Sequence, residues 1–259
     1  MKISTIILFK NNEEIIVNCL ETIKWTDEII GVDIGSTDKT GEIIKKYGGK
    51  VIKSKIKDDF SFWRNEGAKE TKGEWLFYID SDERCSLELK EEIKTKIKET
   101  KHCGFKIPRR NFFLGKEFKS AWPDDMIRLI NKKKLRGWKG NIHETANIEG
   151  EIGIFTNPLI HLTHTSLEQM LEKTIWWSRL EAENRFKTGH PKMTSCRFIR
   201  IFLTGIWENF VKRRLYREGA EGVIEAIYQT FSLFFTYVRL WELQNKIENK
   251  YKKIEQQIK

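Results

Sequence analysis

Two carboxylates separated by one residue form the sharpest local pattern in the sequence, Asp80-Ser81-Asp82. They follow directly on the apolar run Trp75–Ile79, which has the composition of a buried β-strand. Such a pair can share a divalent cation with phosphate oxygens, because hard cations prefer oxygen ligands. An exposed acidic turn before a helix has the same composition, so it is the position at a strand end that favours metal chemistry.

A third carboxylate, Asp33, lies near the end of a second apolar run, Glu28–Ile34, and is followed by Gly35-Ser36-Thr37-Asp38. A carboxylate at a strand end can accept a hydrogen bond from a ribose hydroxyl or a base N–H. The glycine lets a ligand approach the backbone closely. The alternative is an ordinary strand–turn–helix connection with an aspartate cap.

Three further charged side chains lie near the predicted strands. Arg64 is on a predicted short helix, where its guanidinium could donate a fork of hydrogen bonds to a diphosphate. Asp124 and Asp125 precede another predicted strand, and one of them could act as a general base. The simpler interpretations are that Arg64 is a surface arginine and that Asp124 and Asp125 belong to a solvated turn.

Histidines and cysteines add weaker indications. His143, His161 and His164 could bind a metal or donate to phosphate, although an isolated histidine more often has a structural role. The four cysteines are scattered without a CxxC pair. We therefore expect reduced thiols, a cytoplasmic protein and no zinc site.

Alternating strands and helices must position these residues. Strands are predicted at Ile3–Phe9, Glu28–Ile34, Val51–Lys53 and Trp75–Ile79. Helical segments between them indicate parallel pairing. In such a sheet the ligand crevice lies outside the carboxyl ends of the strands, so Asp33 and Asp80 should converge on one edge. The segment Leu135–His143, with its glycines and tryptophan, is interpreted as a loop.

Aspartate is confined to the first 125 residues, and the rest of the chain has glutamate as its only acid. Aspartate is favoured at turns and metal sites and disfavoured inside helices. We therefore predict an α/β domain over residues 1–165, which holds the carboxylate chemistry, and a helical region over residues 166–259.

The composition, with 39% hydrophobic residues and four prolines in 259 residues, excludes a long disordered or low-complexity protein. No apolar stretch reaches the roughly 18–20 residues that span a bilayer. The residues Met1–Phe9 lack the pattern of a signal peptide, because acidic and amide residues follow at once.

The formal net charge is +10, and one basic segment lies in the helical region. Between Arg197 and Arg217, six basic residues and one glutamate accompany an apolar, aromatic stripe. An apolar side with a basic rim is typical of an anionic membrane surface rather than of nucleic acid. In the alternative interpretations, the apolar stripe is buried in the core of the protein or against a partner subunit. We expect a peripheral protein on the inner face of the cytoplasmic membrane, with the oligomeric state left open.

Taken together, these elements resemble glycosyltransferase family 2. The motifs of the resemblance occur in order as Asn12-Glu13-Glu14, Val32–Asp38, Arg64-Asn65, Gly73-Glu74-Trp75 and Ile79–Glu83. The resemblance covers about the first 165 residues. It implies the GT-A fold, a Rossmann-like α/β architecture with a mostly parallel sheet and helices on both faces, here followed by a helical extension. It also implies an inverting, metal-dependent transfer of a sugar from a nucleotide sugar, with Mg²⁺ or Mn²⁺.

Later motifs resemble the bacterial lipopolysaccharide core glucosyltransferases, within the same family. These are Pro123-Asp124, Arg128-Leu129, Gly140–Glu144 and Leu240-Trp241-Glu242. The resemblance implies a UDP-sugar donor, with glucose as the expected sugar. The implied acceptor is lipid-linked or a lipopolysaccharide core.

The resemblance also implies residue roles at the donor site. Asp33 would contact the uracil or the ribose, Asp80 would approach the ribose or the donor sugar, and Asp82 would bind the metal. His143 or His161 would complete the metal or diphosphate site.

For the catalytic base, the resemblance points to Asp124. Pro123 stands where the family usually has a glutamate, which leaves Asp125 as a rival base.

Two other classes of protein stay open at this point. A nucleotidyltransferase uses a similar sheet and metal, but Lys10-Asn11-Asn12 lacks the glycine-rich basic loop expected after the first strand. A non-catalytic basic protein that binds membranes or nucleic acid would leave the strand-end carboxylates unexplained.

Overall fold

The structure is a computed structural model and describes residues 1–56, 58–119, 126–140, 142 and 144–247. The chain forms two compact units. The first comprises Met1–Phe112 and Trp122–Thr163, and the second comprises Phe113–Ala121 and His164–Lys259.

The strands along the chain are β1 (Ile3–Phe9), β2 (Glu28–Asp33), β3 (Lys50–Lys53), β4 (Trp75–Asp80), β5 (Glu83–Cys85), β6 (Gly104–Ile107), β7 (Arg109–Phe113), β8 (Lys116–Phe118), β9 (Met126–Asn131), β10 (Leu135–Lys139), β11 (Thr145–Ile148), β12 (Ile152–Ile154) and β13 (Leu159–His164). The helices are α1 (Ile16–Ile23), α2 (Thr40–Lys46), α3 (Phe60–Glu70), α4 (Leu87–Glu99), α5 (Leu167–Lys187), α6 (Ser195–Ile206) and α7 (Gly219–Asn245). All of the first four predicted strands are present, with ends shifted by no more than one residue.

A seven-stranded sheet in the order β12-β6-β9-β4-β1-β2-β3 forms the centre of the first unit. β1 pairs in parallel with β2 and with β4, and β2 pairs in parallel with β3. β9 is antiparallel to both β4 and β6. The predicted α/β class with a mostly parallel sheet is therefore confirmed.

Successive side chains of each strand point to opposite faces of this sheet, and helices cover both faces. On one face, α1, α2 and α4 pack their apolar residues on Ile7 and Ile79. On the other face, α3 lies over Ile6 and Val32, and its Gly67 allows the close approach. A Cβ on Gly67 would lie 2.6 Å from Ile6 Cγ2, so a larger residue would push the helix away from the sheet.

The interpretation of Leu135–His143 as a loop is wrong for Leu135–Lys139, which form β10. β10 pairs with β11 in an antiparallel ribbon, with a register shift between Leu135 and Gly137. Gly137 has a φ of +119°. A bulge with a glycine interrupts the alternating pattern by which a strand is recognised in a sequence, which explains the error.

The second unit is mostly helical. α5 and α7 carry buried residues of its two apolar clusters, which include Met170, Ala182 and Leu240. α6 continues into a π-helical segment, Trp207–Lys212, and packs on α7 through Gly205, whose added Cβ would lie 3.0 Å from Thr230 Cγ2. Over the described residues, none of the helices combines the length and apolarity that a membrane span requires.

Candidate active site

Asp80 is the last residue of β4, and Ser81 and Asp82 form the turn to β5, which is held by hydrogen bonds to its backbone groups. The Asp80 N–H donates to Glu83 Oε2 at 2.9 Å. Arg84 Nη1 donates to the Ser81 carbonyl at 2.9 Å, and the Leu162 N–H donates to the Asp82 carbonyl at 2.9 Å. These three bonds fix the backbone of the segment that carries the two carboxylates.

The carboxylate of Asp80 lies between two arginines. Arg128 Nη2 donates to Asp80 Oδ2 at 2.6 Å, and Arg64 Nη2 lies 3.6 Å from Oδ1. Burial alone would raise the pKa of Asp80, but the guanidinium groups of Arg128 and Arg64 outweigh it and hold the pKa well below the usual carboxyl range. Asp80 is therefore ionised at neutral pH.

Arg64, on α3, is a buried cation rather than a surface arginine. Its Nε donates to Glu144 Oε1 at 2.7 Å, and its guanidinium carbon lies 5.0 Å from the centre of the Trp138 ring. Its Nη1 is buried and has no hydrogen-bond partner within the described part of the chain. A buried, unpaired N–H is costly, so Arg64 keeps unsatisfied hydrogen-bonding capacity beside Asp80.

Asp33 lies at the same edge of the sheet as Asp80. β1 lies between the two strands, with Phe9 opposite Asp33 and Leu8 opposite Asp80. By the usual spacing of strands, the Cα atoms of the two aspartates are therefore about 10 Å apart. Asp33 Oδ1 accepts the N–H groups of Gly35 at 3.0 Å and Ser36 at 2.7 Å. This local turn orients the carboxylate, and the convergence predicted from topology is present.

Asp82 lies beside His161 of β13. His161 Nε2 is 3.6 Å from Asp82 Oδ2, and His161 Nδ1 is 2.7 Å from Asn111 Oδ1. The Asn111 side chain orients the ring through Nδ1, and Nε2 is directed towards Asp82. An imidazole oriented in this way by a second residue is the usual arrangement of a metal-binding histidine.

This donor set fits a divalent cation that also binds a ligand phosphate. Two ligand atoms of one cation lie about 3–3.5 Å apart, close to the distance observed between His161 and Asp82. Among the residues that the structure describes, no three histidine, cysteine or acidic groups come together as a complete metal cage. Mg²⁺ commonly binds through one or two carboxylates and substrate phosphates, so such a site does not require a complete cage of protein ligands.

Three predicted site residues, Asp124, Asp125 and His143, lie outside the described residues. His164 belongs to the second unit, where its Nδ1 is 3.8 Å from Glu225 Oε2. The cysteines are free thiols, and burial raises the pKa of Cys85 to about 12, so this thiol is unreactive at neutral pH.

Glu83 and Arg128 are site residues whose roles the sequence reasoning missed. Both are buried, and Arg128 Nη2 donates to Glu83 Oε1 at 2.7 Å. Arg128 stands in the middle of an apolar strand, and a charged residue in such a position is rarely buried unless it is paired. That signal indicates a buried ion pair at this place, but it does not reveal the partner.

The edge of the sheet therefore combines three oriented carboxylates, an unpaired guanidinium N–H and an imidazole. In an α/β protein with a mostly parallel sheet, ligands bind at the carboxyl ends of the strands, so the fold and these side chains define an α/β domain with a ligand site at this edge. The family model described as "Glycosyl transferase family 2" matches residues 4–155, more than half of the chain. The chain belongs to this family, the first of the three classes that the sequence left open.

Similar proteins occur in several bacteria. A glycosyltransferase of Rickettsia typhi, described as uncharacterized, is 28% identical over 266 residues, which cover 96% of this chain and 89% of that protein. A lipopolysaccharide core biosynthesis glycosyltransferase of Rhizobium meliloti, LpsC, is 25% identical over 261 residues, which cover 93% of each chain.

Solved structures show that the chain has the GT-A fold. The mannosyltransferase PcManGT of Pyrobaculum calidifontis, in complex with GDP-Man and Mn²⁺, has a TM-score of 0.53 at 12% identity and covers 93% of this chain and 87% of its own. Residues 1–349 of S. aureus TarS, in complex with UDP, have a TM-score of 0.51 at 16% identity, covering 95% of this chain and 92% of that one.

Proposed function

We propose that this protein is a metal-dependent, inverting glycosyltransferase that transfers a sugar, with glucose as the expected one, from a UDP-sugar to a lipid-linked or lipopolysaccharide core acceptor. The observation that carries the proposal is the convergence of Asp33, Asp80 and Asp82 with the unpaired Nη1 of Arg64 at one sheet edge. The UDP complex of TarS and the core biosynthesis role of LpsC support the donor and the acceptor class.

Each donor-site residue has a task suited to its environment. Asp33 would accept from the uracil or ribose through Oδ2, since both of its local bonds go to Oδ1. Asp80 would accept from a hydroxyl of the ribose or the sugar. Arg64 would donate from Nη1 to a diphosphate oxygen, which would satisfy its unpaired N–H.

Asp82 would hold the cation, with His161 as a second ligand and His143 as an alternative that lies outside the described residues. A bound divalent cation neutralises the charge of the diphosphate leaving group. The Mn²⁺ in the PcManGT complex agrees with a divalent metal in this fold. Asn111 would keep the His161 ring in the ligating orientation.

Inversion follows from a single displacement at the anomeric carbon. Asp124, or its rival Asp125, would accept the proton of the acceptor hydroxyl as that oxygen attacks from the face opposite the diphosphate. No covalent enzyme intermediate is required. The bond from the anomeric carbon to the diphosphate breaks as the bond to the acceptor oxygen forms.

The helical region 166–259 would bind the membrane that carries the acceptor, while residues 1–165 would form the catalytic domain. On α6 and the segment after it, Ile199, Leu203 and Trp207 recur every four residues and are 63%, 57% and 59% exposed. A contiguous exposed apolar face of this kind is unusual on a protein that stays in water.

An apolar groove of about 330 Å³ adjoins this face and is lined by Phe202, Ile206, Phe210, Ile227, Thr230 and Phe231. Basic residues from Arg197 to Arg217 accompany it with a single glutamate between them. Because the surface combines apolar side chains with positive charge, the occupant that it suits is a bilayer with anionic headgroups.

The experiment that tests the function is a turnover assay with a panel of nucleotide sugars. Hydrolysis or transfer is measured for UDP-glucose, UDP-GlcNAc, UDP-galactose and GDP-mannose, with Mg²⁺ or Mn²⁺. We expect a UDP-sugar to be consumed, with an acceptor product of inverted anomeric configuration. Consumption of GDP-mannose alone, or a product of retained configuration, would contradict the proposal.

A further inference from the structure

Glu83 is the most deeply buried carboxylate near the site, with 0% of its surface exposed. A buried carboxylate is costly unless several donors satisfy it. Glu83 Oε2 accepts the Asp80 N–H at 2.9 Å, while Oε1 accepts from Arg128 Nη2 at 2.7 Å and from Arg109 Nη1 at 3.2 Å. These donors come from β4, β9 and β7, so one side chain connects three strands.

Glu83 and Asp80 share one guanidinium nitrogen. Arg128 Nη2 lies 2.6 Å from Asp80 Oδ2 and 2.7 Å from Glu83 Oε1. Because the same nitrogen is bonded on both sides, Glu83 determines where Arg128 lies and therefore how the Asp80 carboxylate is oriented. Glu83 thus acts on Asp80 twice, through the backbone N–H and through Arg128.

Glu83 also stands next to the candidate metal ligands. It follows Asp82 in the chain, and in the antiparallel pairing of β5 with β13 it is opposite His161. The strand that presents His161 and the turn that presents Asp82 therefore meet at this residue. A shift of Glu83 would change the separation of the two candidate ligands.

We infer that Glu83 is a positioning residue, which holds the turn of Asp80 and Asp82 in the geometry that binds the cation and the diphosphate without touching either of them. The inference rests on the proposed function. It differs from a purely structural role, because the loss of Glu83 should weaken metal-dependent nucleotide binding beyond any effect on folding.

Glu83→Gln tests this inference with Glu92→Gln as its control. Glu92, on α4, is also a largely buried carboxylate that accepts backbone N–H groups, from Thr156 at 2.9 Å and Asn157 at 2.8 Å. Binding of UDP is titrated calorimetrically at increasing Mn²⁺, and circular dichroism monitors the fold. We expect the UDP affinity measured with Mn²⁺ to fall about 10–100-fold in Glu83→Gln, which is the usual effect of changing a residue that orients metal ligands. The affinity of Glu92→Gln should be unchanged.

Arg109→Gln gives a second test if Glu83→Gln does not fold, because it removes one donor to Glu83 and leaves Arg128 in place. We expect a smaller loss of affinity in the same direction. A wild-type protein that binds no UDP with Mn²⁺ would overturn the proposed function and this inference with it. If the wild type binds UDP and both variants bind it equally tightly, the proposed function stands and the inference is wrong.

Discussion

Arg64 and Glu144 are 80 positions apart in the sequence and form a buried ion pair, with Arg64 Nε 2.7 Å from Glu144 Oε1. The neighbouring Asn65 strengthens the same junction, because its amide accepts the Trp138 N–H at 2.8 Å and donates to the Trp138 carbonyl at 3.0 Å. The Trp138 ring in turn lies against the guanidinium of Arg64. α3, β10 and Glu144 thus fix the arginine whose Nη1 we propose as a donor to the diphosphate.

Removal of Glu144 should therefore destabilise the protein strongly. Glu144→Ala leaves Arg64 buried with a lost partner, and breaking a buried pair in this way costs about 3–5 kcal/mol. Glu149→Ala is the matched control, since Glu149 pairs with Arg136 at the surface, where a much smaller loss is expected. Urea unfolding measures both variants. Equal losses would show that the buried pair contributes no more than a surface pair.

Asp80 should make the stability depend on pH. Its pKa is held below the usual range in the folded protein, because Arg128 and Arg64 outweigh the effect of burial, which alone would raise the pKa. The pKa of an aspartate in an unfolded chain is about 3.9, so the unfolded chain takes up the proton first as the pH falls. The stabilisation by Asp80 is thus complete above about pH 5 and is lost progressively below about pH 4.

This dependence is measured by comparing wild type with Asp80→Asn in urea unfolding between about pH 3 and pH 7. The difference in free energy of unfolding should be largest at neutral pH and shrink in acid. A difference that is constant over this range would mean that the Asp80 carboxyl has an ordinary pKa in the folded protein.

The general base is tested by two neighbouring variants. Asp124→Asn should bind UDP with unchanged affinity and lose about 10²–10⁴-fold in kcat, the usual contribution of general base catalysis. Asp125→Asn serves as the comparison, with the same change in charge one residue along the chain. If Asp125→Asn is inactive and Asp124→Asn is active, the base is Asp125. Full activity of both variants would exclude a base in this pair.

Membrane binding is tested by co-sedimentation with anionic vesicles. The wild type should bind at low salt and dissociate as salt rises, because each cation near the surface contributes about 1 kcal/mol and is screened by ions. Changing Lys212, Arg213 and Arg214 to Glu should abolish binding. The same changes at Lys45, Lys46 and Lys98, in the first unit, alter the net charge equally and should have little effect. A wild type that stays in the supernatant and forms dimers in solution would assign the apolar face to a second copy of the chain.

Local patterns predicted the first four strands and the acidic turn well, because both depend on neighbouring residues, whereas β10 was missed. The strand Trp75–Asp80, for example, follows from its apolar run and differs from the prediction by one residue at its end. The partner of Arg64 could not be predicted, since it depends on how distant segments pack. Glu83 gave no local signal either, because an acidic residue after two aspartates is typical of an exposed turn.

The most direct test of the central claim is calorimetric titration of UDP into the wild type and Asp82→Asn, with and without Mn²⁺. Glu149→Gln, at the surface of the same unit, is the control for a lost carboxylate. We predict that Mn²⁺ strengthens UDP binding by the wild type and by Glu149→Gln, and that it has no such effect on Asp82→Asn. Wild-type affinity for UDP that is the same with Mn²⁺, with Mg²⁺ and with a chelator would contradict a metal role for Asp82 and the mechanism built on it.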